Sequence, residues 1–444
     1  MTKSYFFVGI GGSGMLPLAE IMAGQGHKVA GSDRSLDQGR LGTKFEALAA
    51  KGIGLFAQDG SGITSGDQIV VASAAVEPTV PDIIRATELG CPRVSRAELL
   101  ADLFNAAPVR IAVGGTSGKS TVTGMIGWIM DQAGRDPTIM NGAIMKNYGS
   151  GSRVGAGDVF VSEVDESDGS IALYNPSLAV LNNVAVDHKS MDELRGLFGD
   201  FLGRADAAVV NFDNAEAAAL APPDAMTFGT SRPVTCRAVN INERPDGVDF
   251  AIAGVNVTLA VPGRHNVSNA LAAISAAVSV GIRMEIATAA LATFTGLKRR
   301  FEHIGDANGI TVIDDFGHNP DKIAATLATL HAFPGRLLIF FQPHGYGPLK
   351  QMGRELADSF RANLYSGDHL LICDPAYFGG TVDKSVGADA LVAMIGPQAD
   401  HIPIRDACGE RLIEIAQSGD RIIVMGARDD TLSAFAQSLL DRLG

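Results

Sequence analysis

The stretch Gly114-Gly115-Thr116-Ser117-Gly118-Lys119-Ser120-Thr121 constrains this chain more than any other. The apolar run at 109–113 predicts a buried strand before it, and the apolar residues at 122–130 predict a helix after it. Strand, glycine turn, Lys-Ser and helix together make a phosphate cradle. Backbone N–H groups and the helix N-terminus face an anion, Lys119 adds a point charge, and a hydroxyl such as that of Ser120 can hold Mg²⁺. The strict eight-residue pattern is not met, because its first glycine falls on Val113; the shorter Gly-Thr-x-Gly-Lys-Ser form remains. A glycine turn between strand and helix can be purely structural, but Gly-Lys-Ser in this setting argues for a ligand.

A second anion-binding turn lies upstream. A strand pattern at 5–8 runs into Gly9-Ile10-Gly11-Gly12-Ser13-Gly14, a helix is predicted at 15–23, and a second strand at 27–31 ends at Ser32-Asp33. This is the Gly-x-Gly-x-x-Gly fingerprint, with an acid about 20 residues on. Alone it fits a nicotinamide or flavin enzyme, or any diphosphate-bearing ligand. Asp33 either holds a hydroxyl or caps a helix. Ser73 opens a loop at 73–76, after a strand predicted at 68–72, where ligands of open α/β sheets bind. A dehydrogenase has no need of a second phosphate loop a hundred residues on, so two turns in tandem predict two phosphorylated ligands: ATP and a diphosphate-carrying substrate.

A length of 444 residues predicts about three domains. A net charge of −13 argues against general nucleic-acid or anionic-membrane binding. Cys91, Cys236, Cys373 and Cys408 have no metal-ligand spacing and read as reduced thiols, and no signal peptide or membrane-length apolar run occurs, so a cytoplasmic protein is expected.

Downstream, a strand predicted at 158–161 runs into Ser162-Glu163-Val164-Asp165-Glu166-Ser167-Asp168. Carboxylates at a strand end suit Mg²⁺ in phosphoryl transfer; a solvated acidic turn is the alternative. Asp187-His188 follows the next strand, at 177–182, and places His188 as a metal or phosphate contact. Short alternating runs at 235–261 predict a small antiparallel piece, and Gly263-Arg264-His265-Asn266-Val267-Ser268-Asn269 opens an Ala-rich helix whose Asn and His either cap it or contact a base. Lys298-Arg299-Arg300 is either a solvated linker or a phosphate clamp. Strands alternating with helices from 310 onward predict a further parallel sheet, with Asp314-Asp315-Phe316-Gly317-His318-Asn319 and Gln342-Pro343-His344-Gly345-Tyr346 at strand ends.

These blocks, in this order, resemble the Mur ligase family over the whole chain. The residues that carry the likeness are 9–15, 31–33, 115–121, 163–168, Asp187-His188, 263–269, 299–301, Asp314-Asp315, 341–344 and 425–427. The resemblance implies an α/β fold of three domains, each on a mostly parallel sheet: 1–106 Rossmann-like and UDP-sugar-binding, 107–297 a central ATPase with the antiparallel piece, 298–444 Rossmann-like and amine-docking. It implies ATP-dependent amide formation on UDP-N-acetylmuramate or a related UDP-sugar acid, joined to an amino acid or short peptide, in a cytoplasmic monomer or homodimer with Mg²⁺ and with no nucleic-acid or membrane partner. By the same resemblance, Gly115, Thr116, Ser117, Gly118, Lys119, Ser120 and Thr121 hold ATP phosphates. Ser120 and Glu163 hold Mg²⁺, His188 holds a second Mg²⁺, and His265, Asn266 and Asn269 lie near adenine. Arg300 reaches the phosphates, and Asp314 faces the ribose. Gly9, Gly11, Gly12, Gly14, Met15, Asp33 and Ser73 hold the UDP-sugar, and Phe316, His318, His344 and Lys350 face the amine.

The chain departs from the family's pattern at several positions, among them Ser117 in the phosphate loop where His is usual and Phe316 and Asn319 where Tyr and His are usual. Several Mur ligases use a carbamylated lysine beyond the Asp-His pair; here no lysine occurs between Lys189 and Lys298, so none is expected. Where the alanine-adding branch reads Phe-Gln-Pro-His-Arg-Tyr-Ser-Arg, this chain has Gly345 and Pro348 at the two arginines. Neither replaces a bidentate cation for a carboxylate. The amine pocket is expected to be rebuilt, with Lys350 and Arg354 as substitute charge; the alanine-adding reaction is the first expectation, and a murein-tripeptide-recycling ligase, a non-catalytic UDP-sugar-binding paralogue and a nicotinamide-dependent oxidoreductase are the alternatives.

Overall fold

The computed structural model describes residues 2–40, 42–73, 76–185, 189–376, 383–427, 429 and 431–444. Two compact units emerge. The first comprises Met1–Ile241, Asp249–Ala260 and Val267–Thr295; the second comprises Asn242–Val248, Val261–Asn266 and Gly296–Gly444.

In the first unit the N-terminal sheet has five parallel strands, ordered Gly54–Phe56, Lys28–Ser32, Ser4–Val8, Ile69–Ala72, Arg93–Ser95. Ser4–Val8 is central because both its faces are apolar: Phe6 and Phe7 are fully buried on opposite sides. Strand order reverses beside it, so the glycine turn that follows sits at the switch point of an open sheet.

A ten-stranded sheet carries the phosphate loop. At its centre Val109–Gly114 lies between Leu178–Leu181 and Val159–Glu163, parallel to both, with Ile111 opposite Leu178 and Val161. The helix Lys119–Gln132 starts directly after the loop and buries Val122, Met125, Ile126, Ile129 and Met130, a single apolar stripe. Beyond Val159–Glu163 lie Thr138–Met145 and then Ser150–Arg153, the last antiparallel. The sequence alone offers no strand signal over Thr138–Met145, because Asn141-Gly142 at its middle reads as a turn. At the other edge Cys236–Arg244, Gly247–Ile252 and Val255–Leu259 are successive neighbours joined by short turns.

The helix Arg96–Asn105 joins these two sheets. Ser95 and Glu98 close a capping box at its start. At its end the buried Phe104 ring stands edge-on to Phe160 at 5.7 Å and to Tyr174 at 5.1 Å, so one apolar core serves both sheets.

The second unit holds six strands, ordered Glu302–Ala307, Ile310–Asp315, Arg421–Gly426, Leu337–Gln342, His369–Ile372, Ala399–His401; only the first pair is antiparallel. Alternation sends Ile313, Ile339 and Ile423 to one helix-covered face and Val312, Leu338 and Ile422 to the other. The fold is thus α/β on three mostly parallel sheets. Among the described residues, no helix is long and apolar enough to cross a membrane.

Candidate functional site

The phosphate loop hangs from amide side chains. Gly118, the N-cap of Lys119–Gln132, has φ +78°, a left-handed conformation that favours glycine. A Cβ there would also stand 2.5 Å from Asn182 Nδ2 and 2.6 Å from Asn269 Oδ1. Asn183 accepts from the Ser117 N–H at 2.8 Å and from the Thr116 hydroxyl at 3.0 Å, and donates back to Ser117 Oγ at 2.8 Å. Asn182 donates to the Ser117 carbonyl at 3.1 Å and to Asn269 Oδ1 at 3.0 Å. Asn269, expected near adenine, is therefore nearly buried against the loop itself. Thr121 is buried in the first turn of the helix.

The acidic run after Val159–Glu163 divides its work. Glu163 Oε2 accepts from the Ser120 hydroxyl at 2.7 Å. Glu166, almost fully buried, accepts from Lys119 Nζ at 2.8 and 3.1 Å, while Lys119 also donates to the Gly115 carbonyl at 2.7 Å. Asp165 turns to Ser167; burial pushes its carboxyl up, and the Ser167 hydrogen bonds with nearby Lys119 and Arg96 pull it below the usual range. Asp168 binds Arg96 at 3.3 Å. Glu163 and Glu166 thus turn inward to the loop, while Asp165, Ser167 and Asp168 stay exposed with partners of their own. Asn141, which donates to the Ser120 carbonyl at 2.9 Å, orients the same residue from the neighbouring strand.

Among the described residues, no group of three or more His, Cys, Asp and Glu side chains forms a metal cage. Ser120 and Glu163 supply a hydroxyl and a carboxylate oxygen on one spot, which fits Mg²⁺; that ion takes one or two protein oxygens and completes its shell with phosphate and water. Asp187 and His188 lie outside the described residues.

At the N-terminal turn, Gly9 and Ile10 donate to the Ser32 carbonyl at 2.8 and 2.9 Å, Gly12 closes on Gly9, and Met15 is buried in the core. Asp33 accepts from the Gly11 N–H at 2.9 Å and caps the helix Arg34–Asp37 through Ser35 at 2.7 Å. It braces the turn as well as ending the strand. Ser73 follows Ile69–Ala72 at the same end of the sheet.

In the second unit, Arg299 and Phe301 both have positive φ, +56° and +52°, around Arg300. The Phe316 ring lies 4.6 Å from the Arg300 guanidinium and 5.2 Å from that of Arg299, while Phe316 N–H donates to the Arg299 carbonyl. Asp314 is fully buried, paired with Arg299 at 3.3 Å and accepting from Ser433 at 2.7 Å; burial raises its carboxyl. These contacts engage both oxygens expected to face a ribose. His265 packs over Gly263, and the Asn266 side chain closes on the Pro262 carbonyl at 2.7 Å. Phe316, His318 and His344 do come together, with ring centroids 4.5 and 5.8 Å apart in succession. Burial, with Lys322, lowers the His318 imidazole to about 3. Lys350 points elsewhere, to Asp383 at 2.6 Å on the surface. Arg405 instead reaches the Gln342 end of the loop, at 2.7 Å, and also binds Asp429 and Thr431.

The Mur ligase family catalytic domain matches residues 4–107, the Mur ligase middle domain 113–277, and the Mur ligase glutamate ligase domain 299–428. A UDP-N-acetylmuramate–L-alanine ligase of Jannaschia sp. (strain CCS1) is 37% identical over 99% of this chain and 95% of its own, and that of Ruegeria pomeroyi is 36% identical over 98% and 96%. Among solved structures, the UDP-N-acetylmuramate-alanine ligase of Thermotoga maritima matches at TM-score 0.82 and 23% identity over 99% of this chain and 98% of its own. The murein peptide ligase of Psychrobacter arcticus matches at 0.71 and 24% over 100% and 99%.

Proposed function

Because the chain belongs to the Mur ligase family, we propose that it is an ATP-dependent ligase that joins an amino acid or short peptide to the lactyl carboxylate of UDP-N-acetylmuramate in cytoplasmic peptidoglycan-precursor synthesis. The contact between Ser120 and Glu163, beside the loop that carries Lys119, is the observation that carries this reading. A carboxylate is a poor electrophile. The γ-phosphoryl group of ATP moves to the lactyl oxygen, ADP leaves, the amine attacks the acyl phosphate, and phosphate departs with the proton balance closed by loss from the amine. The loop amides and Lys119 would orient the phosphates, and Arg300, held over Phe316, would neutralise charge on them. Ser120 and Glu163 would hold one Mg²⁺, which would draw charge from the transferring group, and His188 would serve a second Mg²⁺. The glycine turn at 9–14 would hold the UDP diphosphate. A division into 1–106, 107–297 and 298–444 is supported by the three matched segments.

The amine is the open coordinate. Gly345 begins the helix Tyr346–Asn363 where the alanine-adding branch has an arginine, and Lys350 is engaged by Asp383. The L-alanine-adding reaction with a modified amine pocket is the favoured reading, supported by the relatives' shared name, and a larger, peptide amine is the rival. Phosphate release should be measured with UDP-N-acetylmuramate, ATP and a panel of amino acids and short peptides. Strict, efficient use of L-alanine alone would refute the rebuilt pocket, and release with no amine at all would refute the ligase reading.

A further inference from the structure

Arg96 belongs to none of the motifs that define the two anion sites, yet the fold delivers it to the edge of one of them. It is the first residue of the helix Arg96–Asn105, which follows the strand Arg93–Ser95 at the ligand end of the N-terminal sheet. The capping box of Ser95 and Glu98 fixes its backbone.

Its side chain lies across Gly14. A Cβ at that position would stand 3.1 Å from Arg96 Cδ and 3.2 Å from Nη1. Gly14 has ordinary right-handed backbone, φ −99° and ψ −22°, so a side chain there would meet no backbone strain but would crowd the arginine by a few tenths of an ångström. The same Gly14 is the N-cap of Met15–Gly24, a helix with no acidic residue in its first turn and no side-chain cap. The guanidinium therefore adds its charge to the positive end of that helix. It is part-exposed, 25%, and its ionic partner is Asp168 at 3.3 Å, itself 44% exposed. Exposed pairs of this kind contribute little and are readily exchanged. Asp168 keeps a second partner in any case, the Ser170 N–H at 2.9 Å.

We propose that Arg96 is a substrate-contacting residue: it grips the diphosphate of the UDP-linked acid seated on the turn at 9–14, and Asp168 is the carboxylate that diphosphate displaces. The inference rests on the UDP-sugar reading of that turn. A planar, two-pronged cation suits a diphosphate better than a single carboxylate oxygen, and its charge cannot be titrated away. The rival is a plain strap between two parts of the first unit.

Binding of UDP, and separately of UDP-N-acetylmuramate, to the full chain by calorimetry tests this, alongside steady-state phosphate release. Arg96→Ala should weaken both ligands by roughly ten- to a hundredfold, the loss of one charged hydrogen-bonding partner, with KM for ATP moving less than about twofold. Arg96→Lys should recover part of that loss. Asp168→Asn should bind UDP as tightly as the parent or a few-fold tighter. Unchanged UDP affinity in Arg96→Ala, or equal weakening by Asp168→Asn, would overturn the proposal in favour of the strap. If the parent binds UDP but shows no phosphate release with any amine, the ligase reading fails while the Arg96 assignment stands.

Discussion

Glu163 and Glu166 are one helical turn apart in sequence spacing and are given opposite partners, a hydroxyl and an ammonium on one loop. The sequence shows that carboxylates follow the strand but not which one meets which loop residue, because that depends on Val109–Gly114 and Val159–Glu163 being neighbours in the sheet. Asn182 and Asn183 were equally hidden: asparagines at a strand end read as turn formers until the strand is known to flank the phosphate loop. Glu163 has little space. A Cβ on Gly142 would fall 1.8 Å from its Oε1, so Gly142→Ala must shift the carboxylate whose other oxygen Ser120 binds. With magnesium ligation disturbed, kcat should fall by about a hundredfold or more while the melting temperature drops only a few degrees. Parent-like turnover at every magnesium concentration would show that Glu163 is not needed where it stands.

At the scale of elements, the segment 299–301 and the loop at 314–318 form one device. Positive φ at Arg299 and Phe301 is held by Asp315, which accepts from the Phe301 N–H at 2.8 Å, and by Glu302, which accepts from Arg299 at 3.0 Å. Such conformations cluster where side chains must be aimed. The three-cation run announced a clamp or a linker; only the packed neighbours reveal that Arg299 is structural, serving Asp314, while Arg300 lies over Phe316. The residues proposed to face the amine were legible one by one but not as a surface, since Lys350 pairs with Asp383 instead and Arg405, from a distant helix, binds Gln342. His318 gives this element a pH signature. Its folded value of about 3 lies below the ordinary 6.5, so the unfolded chain binds the extra proton between those limits. The stabilisation is complete above pH 6.5 and declines as pH falls toward 3. Urea unfolding at pH 7.5 and pH 5 should show the parent losing about 1 to 2 kcal/mol more than His318→Gln. Equal losses would mean that the imidazole is not held neutral by its surroundings.

For the whole molecule, alternation of strands and helices made the α/β class readable, and the observed strands Ser4–Val8 and Val109–Gly114 fall within a residue of the apolar runs that announced them. What composition did not reveal is that the first two sheets share a core. Asn105-Ala106-Ala107-Pro108 has the look of a linker, yet Asn105 binds the Leu173 carbonyl and the Asn175 N–H at 2.9 Å each, next to the buried Phe104. Polar and small residues can end a helix without ending a folding unit. Phe104→Ala should therefore cost about 3–5 kcal/mol and lower the unfolding of both sheets together. Calorimetry with limited proteolysis would check this; early release of an intact N-terminal sheet alone would contradict it.

The loop at 115–118 is suspended by Asn182, Asn183 and Asn269, groups that neither titrate nor attract counterions. Acid, alkali and brine thus have no direct hold on these amide contacts, and the charged brace, Lys119 on the Gly115 carbonyl, pairs with the buried Glu166, where salt screens it little. Buffer composition then acts first on an anion that arrives from solvent and least on the shape of the grip.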